Sequence, residues 1–421
     1  MKLTILKFRQ NQGFTLVELI VSMAVFMVIM MVAADSFNRI SSLSLKYSKS
    51  EESNIEGVIG LEVIRHDLEQ MGFGLPWQFL PGSAISYDES TDADSLTNDA
   101  PSNVPRALVA LDGFADFSSD FFGVKGSTVG LSKASQRWTY IPFQNFNTGT
   151  ALESRPVSWP SNNLLAGNKV IAIRTNFNDA SDDHILLDKG GTISFSYDSN
   201  GGIDNAFLPQ TDQQTHLVYG IEDSATPRMP FNRADFFIKV PDNTTGGSLP
   251  PSCAPNTGVL YKAVVNHNDG IKDGKYTYIP LLDCVADMQV VLGWDTSNEG
   301  RADSVDAYSS LPKKSDGSVT ATPAGAAADI QNWLQSPKDL REHLKMVKVY
   351  ILAQEGKKDP SYTSPATYIV GNDCMGAESS DIDCGSSYTR QYSLSSDQQQ
   401  YHWKLYRIIT RPKNLVSNQR K

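Results

Sequence analysis

Histidine, cysteine and tryptophan are scarce in this 421-residue chain, at six, four and six residues. The histidines (His66, His184, His216, His267, His343 and His402) are scattered, none within metal-ligand spacing of another, so each reads as a surface or internally satisfied residue. Four cysteines are too few for a disulfide-built scaffold and allow only a few disulfides or structural thiols. With no Cys-x-x-Cys and no histidine beside either cysteine pair, a zinc site is not expected. Basic residues are outnumbered, 37 against 47 acidic, for a net charge of -10. No nucleic-acid partner is expected, since phosphates are neutralised by clustered Lys and Arg. No GxSxG elbow, HExxH, P-loop or Rossmann glycine pattern occurs, so enzyme activity is not expected either. No repeat of fixed period is visible.

What is present is enough apolar residue, 40% of the chain with 10% aromatic, to bury a substantial core. Its distribution is uneven at the start. Residues 1–13 carry Lys2, Lys7 and Arg9 and no acid, and an almost unbroken apolar run follows from Phe14 to Ala34. As a helix that run spans about 30 Å, the thickness of a bilayer's hydrocarbon core. The cations ahead of it keep the N-terminus cytoplasmic and send the remainder outward. A secretory signal peptide has a shorter apolar core and a small-residue cleavage site, which Ala33 and Ala34 only mimic. A plain signal anchor fits the length but gives no reason for Glu18, a carboxylate that is costly in hydrocarbon unless it meets a partner.

The segment Gly13-Phe14-Thr15-Leu16-Val17-Glu18, opening an apolar helix, resembles the cleavage and methylation motif of type IV prepilins. The resemblance implies a dedicated prepilin peptidase that cuts after Gly13 on the cytoplasmic side and methylates Phe14, the new N-terminal residue. For Glu18 it implies an assembly role, in which pairing with the Phe14 amine of a neighbouring subunit satisfies a charge that would otherwise be buried alone. Cutting ahead of the helix leaves the membrane anchor attached. The expected divisions are a leader (1–13), a long N-terminal helix (14–72) with its transmembrane part at 14–34, and a globular head (73–421).

Beyond the apolar run, Ile55, Val58, Ile59, Leu61, Ile64, Leu68 and Met71 recur at three- and four-residue steps between Glu56, Glu62, Arg65, Asp67 and Glu69. That spacing predicts one apolar stripe with a charged opposite face, stopped by Gly72, Gly74 and Pro76. No proline occurs before Pro76, so a single helix from about Phe14 to Met71 is expected, with its second half docked on the head; a short anchor on a serine-rich stalk is the other reading. Past Phe73, the runs Lys169–Arg174, Thr192–Tyr197, Ala234–Val240, Gly258–Val265 and Met346–Leu352 read as strands, and Ala326–His343 as a helix interrupted near Pro337. The fold class expected is α+β, a long helix packed on a large, mainly antiparallel sheet, as in pilins. The acidic run Tyr87–Pro105 reads as a structureless surface loop, and Ser309–Gly325 as another.

Export to an oxidising compartment makes disulfides the expected state. Proximity pairs Cys253 with Cys284 and Cys374 with Cys384, and two other connectivities stay open. Asp295, Asn298, Glu299 and Asp303 set oxygen donors about Gly300, and Asp198, Asn200 and Asp204 do so about Gly201 and Gly202. Both loops suit Ca2+, although neither has EF-hand spacing and the same residues also build metal-free turns. Calcium is thus the one candidate cofactor. Three patches, Glu62–Phe73, Cys284–Asp295 and Tyr406–Leu415, are similar to PilW-like minor pilins, the last with Pro412 where a continuing strand is disfavoured. That resemblance implies a minor pilin, held in the inner membrane by one span with its head in the periplasm. It implies priming or capping of a pilus through contacts with other pilins, and display at the cell surface. The GspJ-type pseudopilins of type II secretion share the long-helix plan, and a pilus-tip adhesin is the reading from a different class.

Overall fold

The computed structural model describes residues 15–143, 163–176, 184–198, 203–297, 299–300, 302, 308–310, 327–371 and 390–416. Helix α1 (Leu16–Gln70) runs for 55 residues without a break. The serines of its middle third do not interrupt it, because serine lowers helix propensity by only about 0.5 kcal/mol and no proline is present. The chain divides into two units, Met1–Ser53 and Asn54–Lys421. In the first, Leu16–Asn38 is long and apolar enough to cross a membrane, and its side chains are exposed throughout.

The second unit holds the strands. In chain order these are β1 (Gln78–Phe79), β2 (Leu108–Leu111), β3 (Phe121–Gly126), β4 (Trp138–Pro142), β5 (Lys169–Asn176), β6 (Ile185–Leu186), β7 (Phe195–Ser196) and β8 (Gln214–Glu222). They continue with β9 (Asn232–Lys239), β10 (Gly258–Val265), β11 (Tyr276–Trp294) and β12 (Tyr308–Ser310). Helices α2 (Ala327–Gln335) and α3 (Pro337–His343) follow, then β13 (Leu344–Glu355), β14 (Thr367–Val370), β15 (Arg390–Ser393), β16 (His402–Thr410) and a last turn, α4 (Lys413–Val416). The predicted interruption near Pro337 is real: Ser336 caps α3 by accepting the Asp339 N–H at 3.3 Å, with Pro337 in the first turn.

The larger sheet has the order β16-β13-β11-β10-β9-β3-β2, antiparallel throughout, with β12 also on β11. A second sheet, β1-β6-β5-β8-β4 with β7 on β5, contains one parallel pair, β1 with β6. The fold is α+β, as expected. Central strands are buried on both faces, and their alternation feeds two cores. On β13, Val347, Val349, Ile351 and Ala353 join the main core with Ile64 and Leu68 of α1 and Met71 just past its end, whereas Tyr350 and Leu352 face a second cluster with Ala286, Val370 and Trp403.

Strand β11 changes neighbours midway. Tyr276–Val285 pairs with β10, and Val285–Trp294 with β13. At the changeover Cys284 sits at φ 54°, and its disulfide to Cys253 bridges Cα atoms 5.0 Å apart. This is one of the two expected pairings; Cys374 and Cys384 lie outside the described residues.

Two expectations need correction. Of the expected stripe, Ile64, Leu68 and Met71 are buried and Leu61 partly so, but Val58 and Ile59 are exposed, and Gly57, Gly60 and Asp67 are buried beside the apolar residues. The reason is close approach, since a Cβ on Gly60 would stand 2.2 Å from the Leu281 carbonyl oxygen and one on Gly57 3.0 Å from the Tyr406 hydroxyl. The run Tyr87–Pro105 is no solvated loop either. Tyr87, Glu89, Thr97 and Asp99 are buried, because the adjoining Arg106 and two cations from elsewhere, Lys125 and Arg233, meet its acids. Lys125 Nζ lies 2.8 Å from Glu89 and 2.6 Å from Asp99; Arg106 Nε lies 2.6 Å from Asp99; Arg233 lies 2.7 Å from Glu89 and 2.8 Å from Asp235. Tyr276 completes the set by donating its hydroxyl to Asp235. Three carboxylates and three cations leave the cluster neutral, which makes its burial tolerable. Burial works to raise the Asp99 pKa, yet Lys125 and Arg106 together hold it below its ordinary value.

Candidate functional site at the N-terminal helix

The motif residues fall at the first turn of α1. Gly13 and Phe14 lie outside the described residues. Thr15 is the N-cap and Glu18 the third helical residue, and the two close a reciprocal box. The Glu18 N–H donates to Thr15 Oγ1 at 3.3 Å, while the Glu18 carboxylate accepts from the Thr15 N–H at 2.9 Å and from the Thr15 hydroxyl at 2.9 Å. This satisfies donors that a helix start otherwise leaves orphaned, and it sets a negative charge at the positive end of the helix dipole. Glu18 therefore has a partner inside its own chain. The Thr-x-x-Glu spacing that signals this was legible in the sequence, where Glu18 was read for assembly alone.

The other end of α1 is seated on the head by charge as well as packing. Asp67, expected on a charged outer face, is buried and pairs with Lys262 of β10 at 2.6 Å. The neighbouring His66 ring bonds Asp67 at 3.4 Å, a contact that raises its pKa above the usual imidazole value. Glu69 pairs with Lys413 of α4. Exposed Val58 and Ile59 border an open groove of about 570 Å³ whose walls include His66, Gln136 and Lys262.

The other candidate residues are placed as follows. Asp295 is buried, and its carboxylate accepts the N–H groups of Glu299 at 2.9 Å and Gly300 at 2.5 Å, the pattern of a side-chain-closed turn. Asn298 and Asp303 lie outside the described residues. In the second loop Asn200 does too, while Asp204 caps a short helical turn through the Ala206 N–H at 3.1 Å and pairs with Lys189. Of the histidines, His216 and His267 are buried. His216 donates from Nδ1 to the Phe207 carbonyl at 2.8 Å. His267 accepts the Arg228 N–H on Nδ1 at 3.1 Å and bonds the Asn232 side-chain oxygen through Nε2 at 2.8 Å.

Residues 8–34 match the family model of the prokaryotic N-terminal methylation motif, and residues 240–398 match that of the type IV pilus-assembly protein W. No curated protein and no solved structure matches the chain. The second match spans β10 to β15, which includes the longest strands of the larger sheet. Of the three patches similar to PilW, Cys284–Asp295 falls inside it, and Glu62–Phe73 and Tyr406–Leu415 fall outside. A methylation motif that runs into an exposed apolar helix, and a PilW match across the centre of the head, support a PilW-like type IV pilin, a minor component of a type IV pilus.

Proposed function

We propose that this chain is made as a prepilin, cut after Gly13 by the prepilin peptidase and methylated at Phe14. It is then held in the inner membrane by the apolar part of α1, with the N-terminus cytoplasmic and the head periplasmic. There it primes or caps a filament through contacts between that helix and those of other pilins. One observation carries the reading: Leu16–Asn38 is apolar and exposed throughout, in the segment that matches the methylation motif. So much exposed apolar surface needs lipid or neighbouring helices to cover it. Once a neighbour supplies a free Phe14 amine, Glu18 exchanges its bonds to Thr15 for that charge, which is the stronger partner where water is absent.

Two measurements test this. The N-terminal mass of the protein from its native membrane should correspond to a chain starting at methylated Phe14; an intact Met1, or a start just after Ala34, refutes it. Glu18→Ala should leave cleavage intact and reduce incorporation into filaments, and normal incorporation sinks the assembly role.

A further inference from the structure

The cysteines gave no reason to expect zinc, but the fold brings a histidine to two carboxylates elsewhere. Asp339, Glu342 and His343 stand three and four residues apart on α3, so they share one helix face. Their nearest ligand atoms all lie within 4.8 Å of one another, and all three residues are partly buried. His343 is held in place by groups outside this cluster. Its Nδ1 lies 2.9 Å from the backbone carbonyl oxygen of Asp295, an atom that can only accept, so Nδ1 carries the proton and Nε2 the lone pair. The ring also stacks on Trp333, with centroids 4.0 Å apart and planes 11° from parallel, and Trp333 in turn packs against buried Trp294. A backbone carbonyl bonded to one ring nitrogen is the usual way an imidazole that ligates a metal through the other is oriented.

We propose that Asp339, Glu342 and His343 form a surface site for a divalent transition-metal ion, zinc being the best fit. One imidazole nitrogen and two carboxylate oxygens supply three ligands and leave a fourth position for water. The nitrogen disfavours Ca2+ and Mg2+, which take oxygen ligands. The site is separate from the Asp295 loop read earlier for calcium, since Asp295 meets His343 through backbone atoms alone, its carbonyl at Nδ1 and its N–H at the His343 carbonyl. Two lysines lie close. Lys338 Nζ is 4.0 Å from the Glu342 carboxylate in an exposed pair, and Lys345 bonds the Glu342 backbone carbonyl. Neither bonds His343 or the Asp339 carboxylate among the described residues, and the Lys338 pair is weak enough for an ion to displace. An ion held here cross-links the two turns of α3 immediately ahead of β13 and, through His343, ties them to the end of β11.

The test is calorimetric titration of ZnCl2 into the full-length, detergent-solubilised chain, tag-free, oxidised and stripped with chelator. One saturable site per chain is expected. Asp339→Asn keeps the Asp295 and Trp333 contacts of His343 and should weaken zinc binding at least tenfold; His343→Gln should do the same, with circular dichroism confirming that both variants fold. No saturable binding by the parent chain overturns the site, and so does parent-like affinity in either variant. Ca2+ binding there as tightly as zinc overturns the choice of ion.

Discussion

At the scale of single residues, the buried histidines respond to acid in a direction that geometry decides. Burial lowers the pKa of both His216 and His267 to about 4, and Arg174 and Arg228, facing them respectively, push the same way. Against this, the Phe207 carbonyl bond favours the charged form of His216. The unfolded chain takes up protons below about pH 6.5 that these rings refuse until about pH 4. Their contribution to stability is therefore full above 6.5 and is lost as the pH falls toward 4. Asp287 works in the opposite sense. Burial, partly offset by Arg390, raises its pKa to about 6, so its contribution is present at acid pH and is lost as the pH rises through 6. NMR titration should find His216 and His267 still neutral at pH 5, while His66, bonded to Asp67, is already charged. Titration of the two buried rings near 6.5 would contradict their burial. Sequence legibility at this scale was uneven. The fate of Glu18 was written in four consecutive residues, whereas His267 depends on Asn232 and Arg228, 35 and 39 positions away.

At the scale of elements, α1 shows where pattern reading succeeds and where it slips. Its existence, length and C-terminal stop followed from an apolar run, the lack of proline and two glycines. Its buried face followed only in part: Ile64 and Leu68 are buried as the periodicity predicts, but hydrophobic periodicity finds side chains that seek a core and misses positions such as Gly57 and Gly60, where the backbone itself is the contact. Gly60 makes the difference measurable. Helix propensity alone predicts that Gly60→Ala stabilises the protein by about 1 kcal/mol. Contact with the Leu281 carbonyl predicts the reverse, a loss of about 1–3 kcal/mol, as for other overpacked sites. Denaturant unfolding of the full chain should show the loss; a gain would mean that helix and sheet separate at little cost. The strands were read more easily, since β10 and β13 are apolar stretches enriched in Val, Ile and Tyr. Of Thr192–Tyr197, by contrast, only Phe195–Ser196 pairs as a strand.

At the scale of the whole molecule, the salt-bridge cluster joins parts of the head that are remote in sequence. Glu89 and Asp99 come from the acidic run, Lys125 from β3, Arg233 and Asp235 from β9, and Tyr276 from β11. Composition showed the acids of the run but not the cations they would meet, so a solvated loop was the natural reading. Lys125→Met removes one cation while Glu89 and Asp99 stay buried. A loss of about 3–5 kcal/mol is expected, as when other buried pairs lose one partner. It should appear as a lower midpoint in equilibrium unfolding, and an unchanged midpoint would mean that water reaches the cluster.

The Cys253–Cys284 bond has a consequence that belongs to the chain before it folds. It closes a ring, at a sequence separation of 31, that contains all of β10 and the first half of β11. In the chain-entropy account, closing a ring of that size removes about 3–4 kcal/mol of freedom from the unfolded ensemble. Once oxidised, an emerging head keeps its two central strands within reach of each other. The β10–β11 pairing then forms as a short closure, while β13 and β16 are still to be gathered from far down the chain. The changeover in β11 thus gives the sheet a beginning: the half inside the ring is already drawn together when the half outside it starts to search.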